Sequence, residues 1–568
     1  MDKLLSLLHA GAHPGLTAFF SVHYLALFLP AALVLFSLTP KKWKRYSLLG
    51  LSLVFYWLIS GTLIVYLLLS ALTVWGLGLW MDSLQKKRDA EAKAAERSER
   101  KAIKKKYNGY CRWVLTLGVC LHIGLILVLK YSGFFMENVN ALFHKGFPIP
   151  EFLKPLGLSF FILSSVSYLA DVYHQKVTAD RNLGRLTLFL GFFPQIVEGP
   201  IVRYSDTAQA LWEVGPITYA NFTGGIQRIG YGLMKKLVIA DRLDPIVAEL
   251  FGGGASYPGF LSLLGAVLYT IQLYMDFSGS MDAVCGTAQI FGLTMPENFR
   301  RPFFSKNISE FWTRWHITLG TWFRDYIFYP VTMSGPLKKL TGAARKKLGN
   351  HFGPLVAGSI ALLCVWFSNG LWHGAAWHYV AFGLYHFVLI LMGNIFAPYL
   401  KKVNDRLGLS SEKKLFHLWQ MLRTTVLVIF GELIFRADSM SMAFTLLKNI
   451  FAHFDLTGFA YNDLKAALSA ADCDVLDLLI VGITTGIVLV ISILQEKGIR
   501  IRETLNEKPI AVRWAVWYAL ILFVIIFGAY GVGYTPIDPM YANFGVFAPA
   551  PPAGVFLYLP PPEEASLA

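Results

Sequence analysis

The chain is written as long apolar runs separated by short polar ones. Runs at roughly 19–38, 46–60, 61–81, 112–131, 153–173, 183–199, 258–277, 354–372, 376–398, 418–435, 476–495 and 511–530 are candidates to cross a bilayer, because about 20 apolar residues span its hydrocarbon core as a helix. The run 183–199 is short and stops at Pro194 and Pro200, which suits a re-entrant segment. Segment 225–250 alternates apolar and charged positions and predicts an amphipathic interfacial helix. The expected fold is all-α and polytopic, with about eleven transmembrane helices plus re-entrant and interfacial helices.

Composition agrees with the pattern. The 568 residues are 55% hydrophobic and only 15% charged, with a mean hydropathy of +0.50, against about 25% charged in a soluble chain. A single aqueous core is excluded, and no internal repeat is visible. The net charge of +15 (51 basic minus 36 acidic) sits in short loops, which points to topology and anionic lipid headgroups rather than nucleic acid. Lys41, Lys42, Lys44 and Arg45 follow the first run, and 83–112 holds about eleven Lys/Arg against four Asp/Glu. Both blocks are expected in the cytoplasm, the second as a basic loop over 82–111. The stretch 46–81 then forms a hairpin turning near Ser60-Gly61, which puts the N-terminus outside. The basic loops 338–347, 401–414 and 497–513 are expected inside, and the acidic segment 436–477 outside. Lys3 without an A-x-A pattern predicts no removable signal peptide, so the first span serves as targeting signal. The five cysteines show no paired spacing. Residues 1–544 are expected to form one membrane domain, followed by a flexible Pro/Ala-rich tail over 545–568.

Two histidines stand out. His316 lies in SEFWTRWHITLGTWFRDYIFYP (309–330) and His373 in NGLWHGAAWH (369–378). An ionisable residue at membrane depth is a functional candidate, and histidine moves protons near neutral pH. Segment 309–330 is predicted as one helix, opened by a capping-box-like Asn307 and Glu310. Its apolar face carries Trp312, Trp315, His316, Leu319, Phe323, Tyr326 and Ile327, and its other face Arg314, Thr318, Thr321 and Asp325. Gly374 after His373 is expected to leave the imidazole open to a ligand. A core histidine hydrogen-bonded to a carbonyl would show the same spacing, so residue pattern alone leaves both readings open. His378 and His386 are weaker candidates, and the absence of HExxH or a Cys/His cluster predicts no metal. Asp171, Glu198, Arg203, Asp276, Asp282 and Glu432 are further polar groups at apparent membrane depth, suited to proton relay or to ion pairing. The Arg300-Arg301 pair suits a phosphate, a pantetheine-type donor or lipid headgroups.

Taken together, MDFSGSMDAVCGTAQIFGLTMPENFRRPFFSKNISEFWTRWHITLGTWFRDYIFYP (275–330) and NGLWHGAAWH closely resemble the membrane-bound O-acyltransferase family. Within it the segments look like the bacterial branch that includes alginate O-acetyltransferases and D-alanyl teichoic-acid acyltransferases. PLGLSFFILSSVSYLADVYHQK (155–176) and VEGPIVRY (197–204) match it too, so the resemblance covers roughly 20–544. It implies a multi-pass helical body with a tunnel, and a catalytic pair at the RWH and LWHG histidines, His316 and His373. The chain departs from the family at Ile162-Leu163-Ser164, where members often have T-F-Q, and at Phe382-Gly383, where they often have W-G. The family's YxxF ending resembles Tyr541–Phe544, but 24 residues follow it here.

The resemblance implies acyl transfer, most simply acetyl, from a cytoplasmic thioester to a hydroxyl of an envelope or exported polysaccharide. The donor would be acetyl-CoA or an acyl carrier protein thioester, with no bound cofactor and no metal. An extracytoplasmic relay partner is implied, in the cytoplasmic (inner) membrane of a bacterium. His373 would be the base and His316 a group that orients the donor or stabilises the oxyanion. Asn369, Trp372, Trp312, Arg314, Asp276, Ser278, Arg324, Asp325 and Arg203 are candidates to line the tunnel or bind the donor. The alternative is D-alanyl transfer to teichoic acid. A transporter would show inverted repeats and paired broken helices, which the sequence lacks.

Overall fold

The computed structural model describes residues 20–21, 23–150, 152–253, 257–410, 413–455 and 459–530, and these are helical with no strand among them. The tail over 545–568 and Tyr541–Phe544 lie outside the described residues. Among the described residues, eight helical stretches are long and apolar enough to cross a membrane. They are Lys41–Ala94, Arg100–Phe143, Gly259–Ile290, Gly335–His373, Trp377–Arg406, Lys414–Arg436, Val475–Glu496 and Ile510–Phe527. The chain is a polytopic all-α membrane protein. His23–Leu38 and Leu158–Tyr173 are apolar but shorter. The run 183–199 yields only the nine-residue helix Leu183–Gly191, too short to span. Lys41–Ala94 is broken at Gly61, whose positive φ of 53° separates Lys44–Ser60 from Ile64–Ala94 at the expected turn.

Three expectations are corrected. The basic segment 82–111 is not a loop. Ile64–Ala94 and Arg100–Ile126 run through it and turn at 95–99. Arg88 donates to Asn108 Oδ1 at 2.8 Å across the pair, and Tyr107 bonds to Glu91. Alanine, lysine, arginine and glutamate are strong helix formers, so the dense charge here does not end the helices.

Segment 225–250 does not lie on a surface. Tyr219–Leu233, a π-helical stretch Met234–Ala240, and Asp241–Gly252 pack along Gly259–Ile290. At Gly232 a Cβ would stand 2.6 Å from Gly279 O, and at Gly225 it would stand 2.5 Å from Gly286 O, so only glycine permits this approach. The amphipathic pattern reflects a face turned to a neighbouring helix, and its lysines end buried.

Segment 309–330 is not one helix. Ile308–Arg314 stops, and Ile317–Phe323 starts after a left-handed His316 (φ 44°, ψ 51°). The cause is Asn298. Its backbone carbonyl accepts Ile317 N–H at 3.0 Å, and its side-chain Oδ1 accepts Thr318 N–H at 3.0 Å and the Thr318 hydroxyl at 2.8 Å. These bonds supply the second helix with the partners its first turn lacks. They also bury Thr318, which the single-helix pattern had placed on the polar face. The start is as read: Asn307 Oδ1 accepts Glu310 N–H at 2.9 Å, although Glu310 returns its bond to Lys306 N–H rather than to Asn307.

Two apolar cores divide the body. One gathers Leu29, Phe55, Phe161, Phe193, Leu319 and Phe323. The other gathers Leu250, Tyr269, Phe311, Trp315, Trp366 and Phe382. The break at His316 falls where the chain passes from the second core to the first, and Trp372 packs against both.

Candidate active site

His316 and His373, far apart in sequence, line one cleft at the seam of the two cores. The cleft holds about 410 Å³ of empty volume, part of it open to the surroundings. One wall is Trp312, Trp315, His316, Leu319, Gly320 and Phe323. The other is Val365, Trp366, Asn369 and His373, which recur at helical spacing on Gly335–His373. The lining is mostly apolar and aromatic, with two imidazoles and one carboxamide as its polar groups.

His373 is the last residue of its helix. Its ring centroid lies 4.9 Å from Trp372, 5.0 Å from Phe435 and 6.0 Å from Phe382, each edge-on. Gly374 is extended (φ −172°), a conformation any residue adopts. Its need for glycine is one of space, since a Cβ would meet the Tyr379 ring at 2.1 Å. That corrects the expectation that Gly374 opens the imidazole to a ligand; the space it leaves is filled by Tyr379. His316 Nδ1 lies 3.3 Å from Asn298 Oδ1. That oxygen already accepts Thr318 N–H, so it is an acceptor and His316 must carry its proton on Nδ1. Nε2 of a neutral His316 is then the basic nitrogen. The His316 ring packs edge-on to Phe277 at 4.8 Å and to Trp372 at 5.6 Å, so Trp372 touches both imidazoles.

The other expected residues separate into groups. Asn369 and Trp312 line the cleft, and Asn369 Oδ1 has no hydrogen-bond partner among the described residues. Arg314 does not line it: this side chain pairs with Glu310 at 2.7 Å and Glu496 at 3.1 Å. Asp276 meets Lys236 at 2.6 Å, and Ser278 accepts from Lys235 at 3.0 Å. Arg203 pairs with Asp325 at 3.2 Å and covers the Tyr326 ring, and Arg324 pairs with Asp325 at 3.1 Å. Tyr326 donates to Asp171 at 2.9 Å. Arg301 joins Glu496. None of these charged residues lines the cleft.

Sequence reasoning missed Trp366, Val365, Asn298 and the role of His386. His386 is fully buried, and its Nδ1 accepts the Trp312 indole N–H at 3.2 Å, which fixes one cleft wall from behind. The spacing 365, 366, 369, 373 on one helix face was available as a signal; the reach of Asn298 was not. Among the described residues no group of three or more His, Cys, Asp or Glu could hold a metal ion.

Residues 51–344 match MBOAT, the membrane-bound O-acyltransferase family. The chain belongs to that family. A protein named probable alginate O-acetylase AlgI from Azotobacter vinelandii is 31% identical over 439 residues, covering 76% of this chain and 78% of its own. The peptidoglycan O-acetyltransferase of Helicobacter pylori is 29% identical, covering 52% of this chain and 58% of its own. The teichoic acid D-alanyltransferase of Bacillus subtilis is 31% identical, covering 45% and 62%. The protein is thus an O-acyltransferase embedded in a membrane, and the cleft is the place to look for its chemistry.

Proposed function

We propose that this acyltransferase moves an acetyl group from a cytoplasmic thioester to a hydroxyl of an envelope or exported polysaccharide, with His373 as general base. The observation that carries this reading is the meeting of His316 and His373 in one cleft. An alcohol is a poor nucleophile at neutral pH and needs a base within hydrogen-bond reach. His373 takes the hydroxyl proton as the oxygen attacks the thioester carbonyl. The tetrahedral intermediate collapses, the C–S bond breaks, and the thiolate leaves with the proton held by His373. His316, with its proton on Nδ1, presents Nε2 as an acceptor that orients the thioester donor; stabilising the oxyanion would need its imidazolium form. The aromatic walls exclude water that would hydrolyse the thioester.

Acetyl is favoured over D-alanyl because alginate O-acetylases match three quarters of the chain and the D-alanyltransferases less than half. In this reading a tunnel joins the two membrane faces in the cytoplasmic membrane of a bacterium. The N-terminus is outside, the chain crosses about eleven times, and residues 1–544 act as one unit ahead of a flexible tail. The donor is acetyl-CoA or an acyl carrier protein thioester, and a partner protein outside receives or relays the acetyl group. The test is transfer of labelled acetate from acetyl-CoA to exported polysaccharide by protein in liposomes. Transfer that occurs only with a D-alanyl carrier thioester and teichoic acid would replace this acceptor and donor.

A further inference from the structure

The helix that carries His373 ends inside the protein, with His373 and Gly374 both buried. A helix end leaves carbonyls without intrahelical partners, and carbonyls shielded from water must find others. Two consecutive ones are met by two consecutive side chains. The Tyr131 hydroxyl donates to Leu371 O, and Lys130 Nζ donates to Trp372 O at 2.6 Å. Both come from Leu127–Tyr131, a single π-helical turn inside an otherwise α-helical stretch, and such turns recur at functional sites. The next turns of the same segment hold the far side of the break. Asn138 Oδ1 accepts from Trp377 Nε1 at 2.9 Å, and the Phe134 ring lies 5.6 Å from the Trp377 ring. Only Gly374, Ala375 and Ala376 separate the two helices that this segment braces.

We propose that Lys130, supported by Tyr131, is a positioning residue for acyl transfer: its Nζ–H bond fixes the last turn of the helix and so the direction in which His373 points. A lysine suits the place because its long stem carries a donor to a carbonyl that the helix end leaves without an intrahelical partner. It also explains why a charged residue interrupts the apolar run 112–131. The effect on rate rests on the reading of His373 as base; the brace itself does not.

The experiment compares full-length wild type, Lys130→Met, Lys130→Arg and Tyr131→Phe in lipid nanodiscs. Two quantities are read: the rate at which diethylpyrocarbonate modifies His373 relative to His316, by mass spectrometry, and kcat and KM for acetyl transfer. Lys130→Met is expected to change His373 reactivity severalfold and leave that of His316 unchanged. It should lower kcat about 10²-fold, the scale of a small misplacement, with KM for the donor unchanged. Lys130→Arg should recover part of both. If Lys130→Met does not fold, Tyr131→Phe carries the test, with a smaller shift in the same two readouts. Wild-type His373 reactivity in the folded variants overturns the brace, whatever happens to kcat. Altered reactivity with unchanged kcat supports the brace and removes His373 as the base.

Discussion

Around Gly259–Ile290, buried cations meet carboxylates. Lys236 lies 2.8 Å from Asp241 and 2.6 Å from Asp276, and Asp282 receives Lys235 at 2.6 Å and Arg228 at 2.9 Å. Around the cleft, His316 and His373 are walled by indole and phenyl rings instead. Both regions place ionisable groups out of water, which is costly unless the charge is paired or given up. Lysine and aspartate are paired here, and the pairs tie helices together. Histidine can be neutral, so it can sit beside empty space without a carboxylate partner. Burial of an ionisable residue in a membrane protein therefore does not by itself single out a candidate site; what separates His316 and His373 from the buried ion pairs is the cleft they line.

The largest effect that separates the two regions is expected at His373. His373→Ala should lower kcat by about 10²–10⁴-fold with unchanged thermal unfolding, measured on the same preparation. Wild-type turnover in that variant would remove the catalytic half of the comparison. Asp276→Asn should do the reverse. Breaking a buried ion pair costs about 3–5 kcal/mol, read as a lower melting temperature, while turnover per folded molecule stays near wild type. Asn298→Ala tests the boundary between the regions, because Asn298 holds both the helix start and His316. A loss of about tenfold in kcat together with reduced stability is expected from one misplaced orienting group. Trp312→Phe removes the bond to His386, worth about 0.5–1.5 kcal/mol, and should relax acyl-chain selectivity in competition assays more than it slows acetyl transfer.

The smallest effect is one of pH at a third place, the loop before Leu183–Gly191. Burial alone would raise the Asp180 carboxyl. Two bonds from Arg185 at 2.6 and 2.7 Å, with Tyr204 and Asn182, outweigh that and hold it below the usual carboxylate range. A lowered folded-state value means the contribution is complete above the unfolded value of about 3.9 and is lost as pH falls through the folded one. The stability advantage of wild type over Asp180→Asn should be constant from neutral pH to about pH 5 and shrink in stronger acid. Unfolding midpoints measured across that range check it.

The helical class was readable because apolar runs of spanning length leave few alternatives. The cap at Asn307 was readable because it is local. The break at Trp315-His316 was not, because the partner that stabilises it, Asn298, is brought in by tertiary structure. Even so, the apolar stripe from Trp312 to Phe323 still converges on one cleft across the break. Segment 225–250 misled for a related reason: an amphipathic face looks the same whether it meets lipid or a glycine-faced neighbour. The joint placement of two distant histidines was implied by family resemblance, and periodicity could not have supplied it. Lys130 was missed, although it is a charge within the apolar run 112–131, and its target is a carbonyl, which no sequence pattern names.

The close contact of Gly225 and Gly232 with Gly286 and Gly279 bears on the order of assembly. Between residues 228 and 249 the chain carries Arg228, Lys235, Lys236, Asp241, Arg242, Asp244 and Glu249. Each charge costs about 2.5–3.5 kcal/mol at the centre of a lone helix during insertion. On that scale the segment is expected to stay at the headgroups until Gly259–Ile290 brings Asp276 to Lys236 and Asp282 to Lys235 and Arg228. The glycines bring the two backbones close enough for Lys235 and Lys236 to meet those carboxylates out of water.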